Sequence, residues 1–220
     1  MTTSGEHHPA FEEYCECIFE LREDNLEIIQ ARIAERLNVS RPSVSEMIHR
    51  MESEGLVTAM GSRIRLTALG ESIAVRVVRR HRISERFLVD VLGLSWSVAH
   101  HEACKWEHVI TAEVESAMNK FLGTPTTCPH GNPIPGSNYV EPMLKSLVAF
   151  DVGTEFTVAR ITEELEFTPG VLDFLQQAKI VPGLRGVIVS SGADGSRTVR
   201  VYGRPVDIDA FTSARILVTA

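Results

Sequence analysis

Residues 40–66 read SRPSVSEMIHRMESEGLVTAMGSRIRL, and the local signals in them specify how the first third of the chain folds. Ser40 is a favourable helix N-cap, and Pro42 lies in the first helical turn, where a missing N–H group costs nothing. Apolar residues then recur at helical spacing until Gly55, a typical helix end. Two β-prone runs flank the Gly-Ser pair at 61–62, which indicates a hairpin. The stretch therefore predicts one helix followed by one hairpin.

A second helix is predicted just before this stretch. Isoleucine, alanine and leucine side chains form an apolar stripe over residues 28–37, and Asn38-Val39 makes a short break before the next helix. Helix, break, helix and hairpin together predict a winged helix-turn-helix DNA-binding domain over residues 1–72, with its second helix in the major groove. The predicted base-reading residues are Ser40, Arg41, Pro42, Ser43, Ser45 and Glu46, and the predicted phosphate contacts are Arg50, Arg63 and Arg65.

The charge distribution permits DNA binding although the 220-residue chain has a net charge of −7. Residues 1–27 have a balance of −7, whereas residues 28–86 hold eleven arginines against six glutamates, a balance of +5. The local field rather than the net charge governs phosphate binding. A basic segment inside an acidic protein therefore suits a DNA-binding domain, although a solvated helical face has the same composition.

Composition excludes several other classes of protein. Hydrophobic residues make up 44% and charged residues 23%, as in ordinary globular domains, and no run is long and apolar enough to span a membrane. The first eight residues lack the features of a secretory signal, and four cysteines are too few for a disulfide framework. We therefore expect a reduced, cytoplasmic protein.

The rest of the chain predicts a helical middle and a β-rich end. Three helices are expected, over about residues 68–92, 96–110 and 111–122, and their apolar side chains could supply a dimer interface. Residues 123–142 are rich in proline and glycine and predict a linker, after which short β-prone runs follow. The predicted fold class is mainly α, with a winged helix-turn-helix, a helical domain with its linker over residues 73–142, and a small β-barrel domain over residues 143–220.

Ligand-type side chains are concentrated in the helical middle. Cys104, Glu107 and His108 stand at i, i+3 and i+4 on one face of a helix. A thiolate, a carboxylate and an imidazole together suit a first-row transition ion. His81 and Glu85 form another i, i+4 pair on the preceding helix. Each of these side chains also has a purely structural interpretation, since histidines and cysteines are commonly packed without a metal.

Three further donors accompany them, namely His100, four residues before Cys104, and Cys128 and His130 in the proline- and glycine-rich segment. The zinc-protease motif His-Glu-x-x-His is not present, because the second histidine would have to stand where Lys105 follows His101-Glu102. No nucleophile triad, phosphate loop or dinucleotide fingerprint is found either. The donors therefore indicate a metal site rather than a catalytic one.

The combination of a winged helix, a Cys-x-x-Glu-His motif and a small β-domain resembles the diphtheria toxin repressor and manganese transport regulator family. The strings that carry the resemblance are ARIAERL at 31–37, RRHR at 79–82, HEACKWEH at 101–108 and GNPIP at 131–135. The resemblance implies a cytoplasmic homodimer that binds double-stranded operator DNA when loaded with a divalent metal. It implies an SH3-like C-terminal domain, and no enzymatic activity, membrane partner or small-molecule substrate.

The resemblance also implies two sets of metal ligands. For a primary, activating site they are Glu13, Cys104, Glu107 and His108, with Glu16 near Glu13. For an ancillary site they are His81, Glu85 and His100, completed by Glu163 and Glu166 or by Cys128 and His130. We expect Glu85, Cys128, His130 and Glu163 to cluster, with His81 and His100 close by.

The implied primary site combines the carboxylate of Glu13 with the thiolate of Cys104. Carboxylates suit Mn(II), whereas thiolates suit Fe(II) or Zn(II). We expect Fe(II) first and Mn(II) second, with Zn(II) as a further candidate at the ancillary site. The predicted function is a metal-dependent transcriptional repressor of metal homeostasis genes. Two alternatives remain open, a winged-helix regulator that senses a small ligand and holds only structural metal, and a metal-binding enzyme or storage module.

Overall fold

Helices make up most of the first half of the chain. The computed structural model describes residues 9–220, so the first eight residues of the predicted DNA-binding domain lie outside the described range. The helices of this half are α1 (Pro9–Glu23), α2 (Gln30–Arg36), α3 (Arg41–Ser53), α4 (Ala68–Asp90), α5 (Trp96–Trp106) and α6 (Ala112–Phe121). No helix within residues 9–220 has the length and apolar character needed to cross a membrane.

The predicted order of helix, helix and hairpin is observed. The side chain of Ser40 caps α3 by accepting a hydrogen bond from the backbone N–H of Ser43 at 3.2 Å. Strands β1 (Val57–Met60) and β2 (Arg63–Leu66) form the antiparallel hairpin, with Met60 opposite Arg63 across the turn. The apolar faces of α1, α2, α3 and the start of α4 enclose one core, so α1 is an integral part of this unit.

Helix α4 belongs to two structural units at once. Ile73 and Val77 in its first half pack into the core of the helix-turn-helix unit. In its second half, Leu88 packs against Ala99 and Ala103 of α5. The proposed division between residues 72 and 73 therefore falls inside one continuous helix.

The C-terminal unit is built around a six-stranded antiparallel sheet. Its strands are β3 (Lys145–Ser146), β4 (Glu155–Ile161), β5 (Arg185–Ser191), β6 (Arg197–Val201), β7 (Arg204–Ile208) and β8 (Ile216–Thr219), in the order β3-β8-β4-β5-β6-β7. Three short helices accompany it, α7 (Glu163–Glu166), α8 (Val171–Gln177) and α9 (Ala210–Ser213). Strand β7 contains Pro205, which a sheet tolerates on an edge strand such as this one.

The segment over residues 123–142 is not a free linker. Cys128, His130 and Asn132 in its middle are fully or almost fully buried. The backbone N–H of Ile161 in β4 donates to the carbonyl of His130 at 2.8 Å. Gly131 has a φ of +91°, and a Cβ atom there would lie 2.2 Å from the carbonyl oxygen of Ala159. This segment is therefore packed between α4 and β4, in a position that only glycine at residue 131 allows.

Candidate metal centres

Two clusters of ligand-type side chains lie where α4, α5 and α1 meet. His81 and Glu85 are one turn apart on α4, and Glu107 and His108 directly follow the last residue of α5. Because α4 and α5 pack side by side, these two pairs face one another. The helices therefore bring together donors that lie more than twenty residues apart in the sequence.

The first cluster, called the primary cluster below, consists of Glu12, Glu16, His81, Glu107 and His108. His81 Nδ1 lies 2.6 Å from Glu107 Oε2, and His108 Nε2 lies 3.1 Å from Glu107 Oε1. His108 Nδ1 lies 2.8 Å from Glu12 Oε2. Ligand atoms of Glu16, His81 and Glu107 all lie within 4.8 Å of one another. The cluster thus joins α1 to α4 and to the end of α5.

The second cluster, called the ancillary cluster, consists of Glu85, His100, Cys128, His130 and Glu166. His100 Nδ1 lies 3.0 Å from Glu85 Oε1 and 3.2 Å from Glu166 Oε2. His130 Nδ1 lies 2.8 Å from Glu166 Oε2, and Cys128 Sγ is 3.8 Å from the same nitrogen. All five residues are buried. The cluster thus joins α4, α5, the buried segment and α7.

Cys104 lies between the two clusters. Its sulfur and one ring nitrogen each of His81 and His100 lie within 4.8 Å of one another. His81 also spans the gap, since its Nε2 atom is 3.2 Å from Glu85 of the ancillary cluster. The two clusters are therefore contiguous, and His81 faces the primary cluster as much as the ancillary one.

Glu13 does not lie where the resemblance implied. Its side chain is exposed, whereas Glu12 and Glu16 are buried in the primary cluster. Successive residues of a helix point about 100° apart, so Glu13 points away from the face that carries Glu12 and Glu16. In the sequence, the face of α1 that meets the cluster could have been identified from the glutamates at positions 12, 16 and 20, which recur every four residues.

Glu163 also lies outside the expected cluster. Its Oε1 atom accepts a hydrogen bond of 2.6 Å from the buried guanidinium of Arg82. Arg82 requires a buried anion because an unpaired charge in the interior is costly. Glu166, three residues further along α7, contacts His100 and His130 instead. Expecting Cys128 and His130 near Glu85 agrees with the geometry, and Glu166 completes that set.

The donor sets fit a divalent ion. Within residues 9–220, several buried atoms that could bind a metal have no hydrogen bond of good geometry. They include Glu16 Oε1, His81 Nε2 and His130 Nε2. Buried polar atoms are nearly always satisfied, so such atoms in a cluster of donors point to a missing ligand. Two imidazoles and three carboxylates in the primary cluster suit Fe(II) or Mn(II), and the thiol and imidazoles of the ancillary cluster also suit Zn(II).

Two carboxylates of the primary cluster, Glu107 and Glu12, are held in their charged form, whereas burial and the neighbouring charge of Glu107 raise the pKa of Glu16 well above its ordinary value. Burial alone would raise the pKa of Glu107, but hydrogen bonds from His108 and His81 outweigh it and lower that pKa. The pKa of Glu12 is lowered in the same way, against burial, by hydrogen bonds from His108 and Arg76. A cation would therefore meet anionic oxygens at this position, as a hard or borderline divalent ion requires.

Metal binding is expected to release protons. Hydrogen bonds to Glu107 and Glu12 raise the pKa of His108 to about 10, so this ring is protonated at neutral pH, and an imidazole must lose that proton to bind a metal. The apparent affinity for Mn(II) should therefore rise with pH between 6 and 8. Calorimetric titrations in two buffers of different ionisation enthalpy measure the released protons. An affinity that does not change with pH would contradict a ligand role for His108.

The predicted DNA-facing residues lie on α3 and the hairpin. Arg41, Glu46 and the two arginines of the hairpin are exposed, as are Pro42 and Arg50. Ser45 is half-buried. Ser40 and Ser43 are exposed but also bond to each other at the start of α3, at 2.8 Å between their hydroxyl oxygens. Their hydroxyls are thus partly used in capping, which leaves the later positions of α3 as the less constrained ones.

Two family models match this chain. The model described as the iron dependent repressor, N-terminal DNA binding domain, matches residues 8–63. The model described as the iron dependent repressor, metal binding and dimerisation domain, matches residues 67–136. The second range contains most of both clusters, and the first contains the helix-turn-helix unit and the start of the hairpin.

Individual proteins match over most of the chain. The iron-dependent repressor IdeR of Mycobacterium tuberculosis is 39% identical over 204 residues, covering 87% of this chain and 88% of its own. The diphtheria toxin repressor of Corynebacterium diphtheriae is 45% identical over 126 residues, covering 57% of this chain and 56% of its own. A manganese-dependent transcriptional repressor solved with manganese superimposes with a TM-score of 0.86 and 30% identity, covering 96% of this chain and 99% of that one.

Proposed function

This chain belongs to the iron-dependent repressor family and is a metal-dependent transcriptional repressor, and from that premise we propose that the primary cluster is its activating metal site. The observation that carries the proposal is the double role of α1. Its buried glutamates complete the primary cluster, and its apolar face is part of the helix-turn-helix core. Metal binding and the position of the DNA-reading helix are therefore linked through one rigid element.

The residues proposed to hold the activating ion are Glu12, Glu16, Glu107 and His108, with His81 and Cys104 beside them. When bound, the ion supplies positive charge that offsets the mutual repulsion of these carboxylates. Glu12 and Glu16 then hold α1 against α4 and α5, and α1 holds the helix-turn-helix unit. In a dimer this fixes the separation of two α3 helices, which must match half-sites about 34 Å apart.

Fe(II) is the proposed ion, with Mn(II) as the alternative. The thiol of Cys104 and the name of the 39% identical relative favour Fe(II). The carboxylate-rich donor set, and the manganese held by a 30% identical repressor, favour Mn(II). The ancillary cluster offers sulfur, nitrogen and oxygen atoms as ligands, which suits Zn(II). ScaR, whose structure is 25% identical in sequence to this chain, was solved with bound Zn²⁺. We propose Glu85, His100, Cys128, His130 and Glu166 as the ligands of the ancillary cluster.

Metal-controlled binding of operator DNA tests this function directly. Fragments of the source genome would be incubated anaerobically with the protein and a chelator, and then titrated separately with Fe(II), Mn(II) and Zn(II). Binding is expected only after metal is added, and the midpoints rank the ions. Equal binding with the chelator present would overturn the proposal and favour a regulator that senses another ligand.

The dimer is proposed to form through α5, α6 and the end of α4. Large apolar side chains of these helices and of the connections between them are exposed, namely Leu92, Val98, Val109, Val114 and Phe121. Contiguous exposed apolar residues commonly mark a protein–protein interface. The matched family model describes this part of the chain as a dimerisation domain.

Replacing Phe121 with aspartate is expected to give a monomer. Phe121 is 71% exposed and its ring packs only at the edge of Phe87, so the change adds a charge to the proposed interface with little cost to the core. Sedimentation velocity at micromolar concentration measures the oligomeric state. Val140→Asp, at an 85% exposed position outside these helices, is the control and should remain dimeric. A dimeric Phe121→Asp would exclude α6 from the interface.

The domain limits at residues 72/73 and 142/143 and the SH3-like character of the last domain remain proposals. The antiparallel six-stranded sheet with short helices supports a small barrel-like unit at the C-terminus. The shared helix α4 favours treating the first limit as a change of packing partners rather than a hinge.

A further inference from the structure

A line of buried and partly buried polar side chains runs from the ancillary cluster to the C-terminal end of α1. Its members, called the relay below, are Glu166, Asn132, Arg160, Glu23 and Asp24. Asn132 has no exposed surface and Arg160 is 3% exposed. Such groups in the interior are expected to act together, because each one leaves its neighbour unsatisfied if it moves.

The relay begins at a ligand-type carboxylate. Glu166 Oε2 faces His100 and His130, and Glu166 Oε1 accepts a hydrogen bond of 2.6 Å from Asn132 Nδ2. Asn132 Oδ1 in turn accepts a hydrogen bond from Arg160 Nε. The orientation of Glu166 therefore sets the orientation of the Asn132 amide, and the amide sets the position of the Arg160 guanidinium.

The relay ends on α1. Arg160 Nη2 donates to Asp24 Oδ1 at 2.9 Å and to Glu23 Oε2 at 3.1 Å. Asp24 Oδ2 also accepts from the backbone N–H of Glu164 at 3.1 Å. Glu23 is the last residue of α1 and Asp24 follows it. The C-terminal unit thus grips the last turn of α1 through charge-assisted hydrogen bonds, which are the stronger kind.

The opposite end of α1 carries Glu12 and Glu16 of the primary cluster. One helix is therefore held near its start by one cluster and at its end by the relay from the other. A helix of this length moves as a rigid body, so an interaction that fixes one end limits the freedom of the other.

We infer that Asn132 and Arg160 are positioning residues that couple the ancillary cluster to the primary cluster through α1. The inference rests on the proposed function of the two clusters as metal sites. As a ligand of an ion in the ancillary cluster, Glu166 would be held in one orientation, and the relay would then fix the end of α1. Glu12 and Glu16 would therefore lose less conformational freedom when the primary cluster binds its ion. Coupling between two sites in one protein typically changes affinity 5- to 150-fold, and we expect about tenfold here.

Asn132→Ala is the sharpest variant for testing the relay. It removes the link between Glu166 and Arg160 but leaves the contacts of Arg160 with Glu23 and Asp24 in place. Arg160→Gln is the second variant and cuts the relay at α1. Arg197→Gln is its matched control, because Arg197 is a buried arginine of the same sheet whose side-chain hydrogen bonds go to backbone carbonyls.

Hydrogen exchange measured by mass spectrometry reports the end of α1 without any need for DNA. In the wild-type protein, saturating Mn(II) is expected to slow amide exchange over residues 20–27 about tenfold. Asn132→Ala and Arg160→Gln should lose most of this protection, and Arg197→Gln should keep it. His130→Ala disables the ancillary cluster and should have the same effect as Asn132→Ala, with no further loss in the double variant.

Calorimetric titration with Mn(II) gives the second measurement. Asn132→Ala should weaken binding at the primary cluster about tenfold while still allowing it to saturate. Wild-type protection over residues 20–27 in Asn132→Ala, or an undiminished effect of His130→Ala in the Asn132→Ala background, would overturn the relay. Failure of the wild-type protein to bind DNA in a metal-dependent way would instead overturn the proposed function, so the two failures are distinguishable.

Discussion

Replacing Glu107 with glutamine is expected to abolish metal-stimulated DNA binding at physiological metal concentrations. The two oxygens of Glu107 contact His81 at 2.6 Å and His108 at 3.1 Å, so this carboxylate is the common neighbour of both histidines of the primary cluster. Loss of an outer partner of a metal site typically costs 10- to 100-fold in affinity, and we expect the loss of a direct ligand to cost about 100-fold or more. Electrophoretic mobility shift against Fe(II) or Mn(II) concentration measures it.

Glu102→Gln is the matched control for this experiment. Glu102 lies on α5, the helix that Glu107 directly follows, but its carboxylate forms a surface ion pair with Lys105 at 2.7 Å. Exposed pairs of this kind contribute little to stability and lie outside the cluster, so the variant should retain the wild-type metal midpoint. Full metal stimulation in Glu107→Gln, with a circular dichroism spectrum like that of the wild type, would remove Glu107 from the activating site.

Gly131→Ala is expected to lower the free energy of unfolding by about 3 kcal/mol and to weaken metal binding at the ancillary cluster. The added Cβ would lie 2.2 Å from the carbonyl oxygen of Ala159, a backbone atom that cannot move aside alone. Relief of this clash requires the buried segment to shift away from β4, and Cys128 and His130 would move with it. Urea denaturation and zinc content by elemental analysis measure the two effects.

Gly136→Ala separates the clash from backbone strain. Gly136 lies in the same segment with a φ of +74°, but a Cβ there would meet only the end of Arg79 at 3.8 Å. The alanine therefore adds only the strain of a left-handed backbone, which should lower the free energy of unfolding by about 1 kcal/mol. The variant should keep its ancillary metal. Equal destabilisation of the two variants would mean that the packing of Gly131 against β4 has no special importance.

Local signals in the sequence predicted the helix-turn-helix unit well. The cap at Ser40, the proline in the first turn of the helix and the Gly-Ser pair of the hairpin turn each act within a few residues, so they need no tertiary information. The long helix α4 and its i, i+4 pair of His81 and Glu85 follow from periodicity for the same reason. The edge position of β7, which allows Pro205 within a strand, depends on the order of the whole sheet and could not be predicted locally.

The candidate site was predictable in kind but not in every ligand. The donors on α4 and α5 were identified by their helical spacing and by resemblance. The resemblance implied Glu13 for the primary site, whereas the structure buries Glu12 and Glu16 there and leaves Glu13 exposed, because one residue along a helix is a rotation of about 100°. Of the two glutamates that the resemblance implied for the ancillary site, Glu166 contacts His100 and His130, whereas Glu163 pairs with the buried guanidinium of Arg82, a partner that becomes visible only once the units are packed.

The uninterrupted course of α4 through both units has a consequence for protein engineering. One residue inserted into a helix advances everything beyond it by 1.5 Å and rotates it by about 100°. A chimera that exchanges operator specificity between relatives must therefore keep the phase of this helix if it is joined inside residues 68–90. A junction at Thr67, between β2 and α4, is no simpler, because it would separate the hairpin from the helix whose start completes its core. The helix-turn-helix unit and the metal-binding helices therefore have to be exchanged together, as one module.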